Sequence, residues 1–72
     1  MSERVTYRDY APEETIPIRF YDEMGSIQLG TAIGVRETIL KASGKIRSQF
    51  DFRVKLMDGK EVWIWQKWVL PE

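Results

Sequence analysis

Residues 48–70, SQFDFRVKLMDGKEVWIWQKWVL, carry the clearest periodicity in the chain. Phe50, Phe52, Val54 and Leu56 alternate with Gln49, Asp51, Arg53 and Lys55, the two-residue repeat of a strand with one apolar and one wet face. Asp58-Gly59 supplies hairpin chemistry, because an Asp side chain caps its own turn and Gly tolerates positive φ. Glu61 to Gln66 therefore returns as a second strand. This hairpin sets the class as all-β and antiparallel.

Working outward, Lys41-Ala42-Ser43-Gly44-Lys45 reads as a turn joining two strands of about ten residues each. In the strand before it, Ile27 to Leu40, the residues Leu29, Ile33, Val35 and Ile39 share one parity, and Gly30, Ala32 and Gly34 share the other. Small residues so placed predict a strongly bent strand, or a surface that another backbone approaches closely. Ile16, Ile18 and Phe20 alternate with Thr15, Pro17, Arg19 and Tyr21 to give a first strand, followed by the loop Asp22-Glu23-Met24-Gly25-Ser26. Pro17 has no N–H to donate, which puts that strand at an edge or delays its pairing. Residues 1–14 show no consistent period and read as an N-terminal arm that Tyr7 and Tyr10 can pin to the rest. At the other end, Gln66-Lys67-Trp68 reads as one helical turn with Trp68 in the core, and Val69-Leu70 as a short closing strand. The expectation is an all-β, five-stranded antiparallel SH3-like barrel over residues 15–72, preceded by the 1–14 arm.

The segments IRFYDEMGSIQLGTAIGV and FRVKLMDGKEVWIWQKWVLP, within residues 18–71, resemble Tudor domains, notably those of Polycomb-like chromatin proteins. The shared order is a strand, a loop, LGT-x-I-x-V, V-x-L-x-DG and a closing V-x-P. The resemblance implies a Tudor-like small barrel. Tudor domains that read methyl-lysine hold the ammonium among several ring faces. Here Phe20 matches one cage wall, but Gln28, Leu56 and Val62 stand at the other cage positions, so that activity does not transfer.

Composition narrows the function classes. The 72 residues contain eleven basic and eleven acidic side chains, so no global field steers the chain to nucleic acid or to an anionic membrane. Without Cys or His it lacks thiolate chemistry, disulfides, the commonest general base and the commonest metal ligand. No nucleophile elbow or glycine-rich phosphate loop is present. The acidic residues Glu13, Glu14, Asp22 and Glu23 lack the spacing of a cation loop. The reading is therefore not an enzyme, with no cofactor and no metal. No apolar run approaches the roughly 20 residues of a membrane helix, and MSERVTYRDY is too polar for a signal peptide, so a cytoplasmic location is expected. The size suits a small accessory or regulatory protein of phage type.

Trp63, Trp65 and Trp68 are the sharpest local anomaly. In a strand Trp63 and Trp65 share one face while Val62 and Ile64 share the other, so both faces are apolar and either pair can be the buried one. If Val62 and Ile64 are inside, the tryptophans form an outward stripe, open to a partner or covered by the arm or a second copy of the chain. The expected function is docking of a protein or peptide partner on an aromatic face made by Phe20, Tyr21, Trp63 and Trp65, with Arg19 and Lys67 at its rim. The alternative is nucleic-acid binding along a basic hairpin of Arg36, Lys41, Lys45, Arg47, Arg53 and Lys55. A third class is a homo-oligomer joined through strand edges or the tryptophan stripe.

Overall fold

The structure, a computed structural model, describes residues 2–71. Met1 and Glu72, the outer limits of the expected arm and barrel, lie outside the described residues. Five strands account for most of the chain: β1 (Ser2–Asp9), β2 (Ile16–Tyr21), β3 (Ile27–Ala42), β4 (Lys45–Leu56) and β5 (Glu61–Trp65). Single 3-10 turns, Pro12–Glu14 and Gln66–Trp68, follow β1 and β5. All pairings are antiparallel and belong to one sheet.

β3 is the hub. Its first half pairs with β2 from Ile27↔Tyr21 to Ala32↔Ile16, and its second half pairs on the same side with β1 from Gly34↔Asp9 to Lys41↔Ser2. Along its other side it pairs with β4, which in turn pairs with β5 over Asp51–Lys55. Between Ala32 and Gly34 the β3–β4 register shifts by one residue. A bulge of this kind turns the side chains of one half of a strand over relative to the other half. Ala32 thus stands opposite the core residue Val54, while beyond the bulge it is Val35 that stands opposite Phe52. The single parity expected for Leu29, Ile33, Val35 and Ile39 is corrected accordingly, and Leu29 is exposed. The expected close approach is present. A Cβ built on Gly34 would lie 2.9 Å from the carbonyl oxygen of Arg8, so only Gly lets β1 reach β3 here.

The hairpin loops follow from local chemistry. In Asp22–Ser26 and again in Leu56–Lys60, a tight turn is closed by an N–H to C=O bond of 3.0 Å, and a glycine of positive φ, Gly25 or Gly59, completes it. The Asp side chain then accepts from backbone N–H groups ahead of it, Met24 and Ser26 for Asp22 and Lys60 for Asp58. Ala42 and Lys45 are the last pair before a two-residue turn, Ser43-Gly44, with both residues at positive φ.

Two expectations about the elements change. Residues 2–9 of the expected arm form a ladder strand, although every residue of it is exposed. Its pattern SERVTYRD buries nothing, so it has no hydrophobic period to read. Conversely, the expected closing strand Val69-Leu70 is reduced to one bridge, Phe20↔Val69, and one bond from Leu70 N–H to Arg19 O of 2.8 Å. The five-stranded sheet is not closed. Pro17 sits where β2 pairs on one side only, as an edge residue must.

The buried core is small: Phe20, Ala32, Val54 and Ile64, with Ile18, Phe52, Leu56, Val62 and Val69 packed around it. β5 covers β4 no further than Asp51, so Phe50 and Ile46 project beyond the core. β1, the second half of β3 and the first half of β4 extend there as a three-stranded ribbon, and the molecule measures 41 × 29 × 22 Å. No helix among the described residues is long and apolar enough to cross a membrane.

The core's position predicts a gradient of mutational cost. Val54→Ala leaves a cavity under Phe20 and Ile64 and is expected to cost roughly 2–3 kcal/mol. Ile46→Ala on the ribbon should stay within about 0.5 kcal/mol. Urea denaturation midpoints of the two variants check this ordering.

Candidate functional site

Val62 and Ile64 face the core, and Trp63 and Trp65 lie on the opposite face of the sheet. Burial decides the register because Ile64 stands beside Phe52 and Val62 beside Val54. The tryptophans are nevertheless not bare. The guanidinium of Arg36 lies 4.3 Å from the Trp63 ring centroid, and the Tyr7 ring from β1 leans on Trp63 at 5.9 Å. Trp65 is flanked by the Lys67 ammonium at 5.1 Å and meets Trp68 edge-on at 6.5 Å. Trp63 and Trp65 retain 39% and 37% of their exposure.

Beneath this aromatic layer is an ion pair. Asp51 is only 5% exposed, and its Oδ2 accepts from Arg36 Nη2 at 2.9 Å and Nε at 3.2 Å. Its Oδ1 accepts from Gln49 Nε2 at 3.3 Å. The strand register puts Tyr7, Arg36, Asp51 and Trp65 in one row across β1, β3, β4 and β5. Asp9, Gly34, Arg53 and Trp63 form the next row, where Arg53 pairs with Glu61 at 2.6 Å and with Asp9 at 3.6 Å. The second face of the sheet is therefore an ordered polar and aromatic layer.

The six expected docking residues separate. Phe20 is 2% exposed and belongs to the core, which corrects its placement on a docking face. Its parity with Ile16 and Ile18 already aims it inward, and the aromatic type alone suggested a surface role. Arg19 and Tyr21 lie on the other side of β2, where Arg19 Nη2 reaches the Pro71 carbonyl at 3.4 Å. Tyr21 and Trp63 instead help to wall a cleft of about 500 Å³ between the end of β2 and β5, at the opening of the unclosed sheet. Its floor includes Phe20 and Ile64, its other walls Met24 and Trp68, and its rim Asp22 and Glu23. Trp65 and Lys67 line a second cleft of about 430 Å³ beside Phe50 and Leu40. Trp68, expected in the core, is exposed instead. The 3-10 turn carries it past the edge of β5 onto the cleft wall, a placement strand parity could not reveal.

Of the expected basic strip, Arg36 and Arg53 are held in ion pairs on the second face. Lys41, Lys45 and Arg47 stay exposed at the ribbon tip, and Lys55 is exposed nearer the core. No group of three or more metal-ligating side chains gathers among the described residues.

Asp22 fixes the rim of the first cleft. Bonds from the Gln28 side chain at 2.9 Å and from the Ser26 and Met24 N–H groups hold its carboxyl below the ordinary value of 3.8. Bonds from Ala11 N–H and the Arg8 guanidinium likewise lower Glu14.

The chain matches no family model, no curated protein and no solved structure.

Two outcomes are expected from this geometry. Asp51→Ala leaves the Arg36 guanidinium unpaired in a side chain only 28% exposed, and should cost about 1–3 kcal/mol after allowance for its partial solvation. Arg36→Met in the same chain should recover part of that loss, as thermal denaturation of the single and double variants would reveal. Because the folded Asp22 carboxyl titrates below its unfolded value, its contribution is complete above that value and is lost as pH falls through the folded one. The protection of the Met24 and Ser26 amides, relative to intrinsic exchange at each pH, should therefore fall with acid, and Asp22→Ala should abolish that dependence in amide spectra.

Proposed function

We propose that this protein is a non-enzymatic interaction module, an SH3-like and Tudor-like small barrel that docks a protein or peptide partner in the cleft between β2 and β5. The supporting observation is the cleft itself, which Tyr21, Trp63 and Trp68 wall over the largely buried core residues Phe20 and Ile64. Rings on a pre-formed scaffold give large contact area at low entropic cost, as interface anchors do. The Phe20↔Val69 bridge supports the barrel reading, since it brings the chain after β5 back to β2.

The partner segment best suited is short and extended, with one apolar or aromatic side chain for the floor and a basic neighbour for the rim. Asp22 is occupied by its own loop, whereas Glu23 makes no ion pair among the described residues and is available at that rim. The methyl-lysine reading has little support, because Gln28 and Val62 stand at two expected cage positions. Without Cys or His, and with so little buried volume to desolvate a carboxylate or lysine, catalysis is disfavoured. The same composition favours a cytoplasmic setting.

Nucleic-acid binding is the weaker alternative. Two of its six cations, Arg36 and Arg53, already neutralise carboxylates. The remaining four are too few and too scattered for a phosphate track.

Affinity capture from the native lysate tests the reading. The expected outcome is a protein retained after nuclease treatment and between about 50 and 200 mM salt, conditions under which a phosphate-driven contact collapses. Tyr21→Ala combined with Trp68→Ala should abolish that retention with the far-UV spectrum unchanged. Retention that disappears with nuclease would move the function to Lys41, Lys45 and Arg47.

A further inference from the structure

We propose that the protein forms a twofold dimer in which β1 pairs antiparallel with β1 of a second copy, joining two sheets edge to edge. The proposal does not depend on the cleft, which no residue of β1 lines.

The surface area motivates it. A compact chain of 8.5 kDa exposes about 4,700 Å², whereas this one exposes 5759 Å². The excess, on the order of 1,000 Å², is comparable to the roughly 800 Å² that each partner contributes to a stable interface. The ribbon projects from the core with β1 as its open edge, and all eight residues of β1 are exposed. Zero formal net charge removes general repulsion between copies.

The free groups on that edge can be assigned. Tyr10 N–H donates to Ile33 O at 2.9 Å, continuing the β1–β3 ladder. Backbone groups alternate sides along a strand. The even residues of β1 therefore turn their N–H and C=O towards β3, and Glu3, Val5, Tyr7 and Asp9 turn theirs away from the sheet. Those four residues carry a row of unpaired donors and acceptors of the kind that templates another strand. The segment has no Pro, no Gly and no bulge to block one, and its centre, Val5-Thr6-Tyr7, is uncharged and rich in strand formers. Among the remaining open edges, Lys45–Phe50 of β4 carries Lys45 and Arg47, cations of the sort that guard edges, β2 carries Pro17, and β5 is only five residues long.

Charge selects the register. A twofold axis perpendicular to the sheet pairs residues of equal parity. With Val5 on the axis, Glu3 faces Tyr7 of the second copy, Arg4 faces Thr6 and Ser2 faces Arg8, so no like charges oppose. With Thr6 on the axis, Arg4 would face Arg8 and Glu3 would face Asp9, both unfavourable. With Arg4 on the axis, two arginines would meet. The Val5-centred pairing is the longest register free of such conflicts. It extends the order β1-β3-β4-β5 into one continuous sheet through both copies.

Sedimentation equilibrium of the full chain, across about 1 to 100 μM, tests this. The expected mass is twice the 8.5 kDa of the chain. Val5→Lys puts two ammonium groups at the axis and should give the monomer mass with its far-UV spectrum retained, and Val5→Glu should do the same. Mixing the two variants should restore the doubled mass, which neither a folding defect nor a contact elsewhere would produce. Val5→Pro removes an N–H that points away from β3, so it should also yield folded monomer. A wild-type chain that stays at 8.5 kDa throughout would overturn the proposal. So would a doubled mass that Val5→Lys and Val5→Pro leave unchanged, which would point to the cleft or the tryptophan face.

Discussion

The register shift between Ala32 and Gly34 is the constraint on which the rest of the molecule depends. A 16-residue strand of constant parity would present one set of side chains to the core along its whole length. The bulge lets β3 serve two partners on one side, β2 before it and β1 after it, while keeping apolar side chains towards the core in both halves. Gly34 at that point is compelled by distance, because the Arg8 carbonyl oxygen leaves no room for a Cβ.

The sheet is finished differently on its two faces. One face buries Phe20, Ala32, Val54 and Ile64, a core limited by how far β5 extends along β4. The other carries Asp51, Arg36, Trp63 and Tyr7, in which a carboxylate shielded from water is matched by a guanidinium, and the guanidinium is in turn covered by an indole. A buried charge is tolerable only when paired and hydrogen-bonded in this way. Among the described residues no buried side-chain polar atom is left without a partner. Tyr7 is β1's contribution to that layer, so the N-terminal strand supports the second face while burying nothing itself.

Incomplete closure and unequal strand lengths generate the surfaces of interest. Where β2 and the segment after β5 touch at a single bridge, a cleft lies against the edge of the core. Where β3 and β4 outrun β5, the ribbon exposes Ile46 and Phe50 and presents β1 as an edge. The two features lie in different parts of the sheet, so partner docking and self-association need not compete.

The sequence by itself determined the strands from Thr15 to Gln66, their turns and the inward alternation of Phe52, Val54 and Leu56. Each of these is written locally, as a two-residue period or as Asp-Gly and Ser-Gly turn chemistry. The bend in β3 was also legible, because three small residues at one parity leave few alternatives. Tertiary structure decided what local pattern leaves degenerate. The run Val62-Trp63-Ile64-Trp65 is apolar on both faces, and only its pairing with the core side of β4 turned the tryptophans outward. SERVTYRD has no hydrophobic period, and it is a strand because β3 offers it an unsatisfied ladder. Trp68 left the core, and the aromatic set divided between two clefts, because side chains distant in sequence meet only where the sheet curves and stops short of closing.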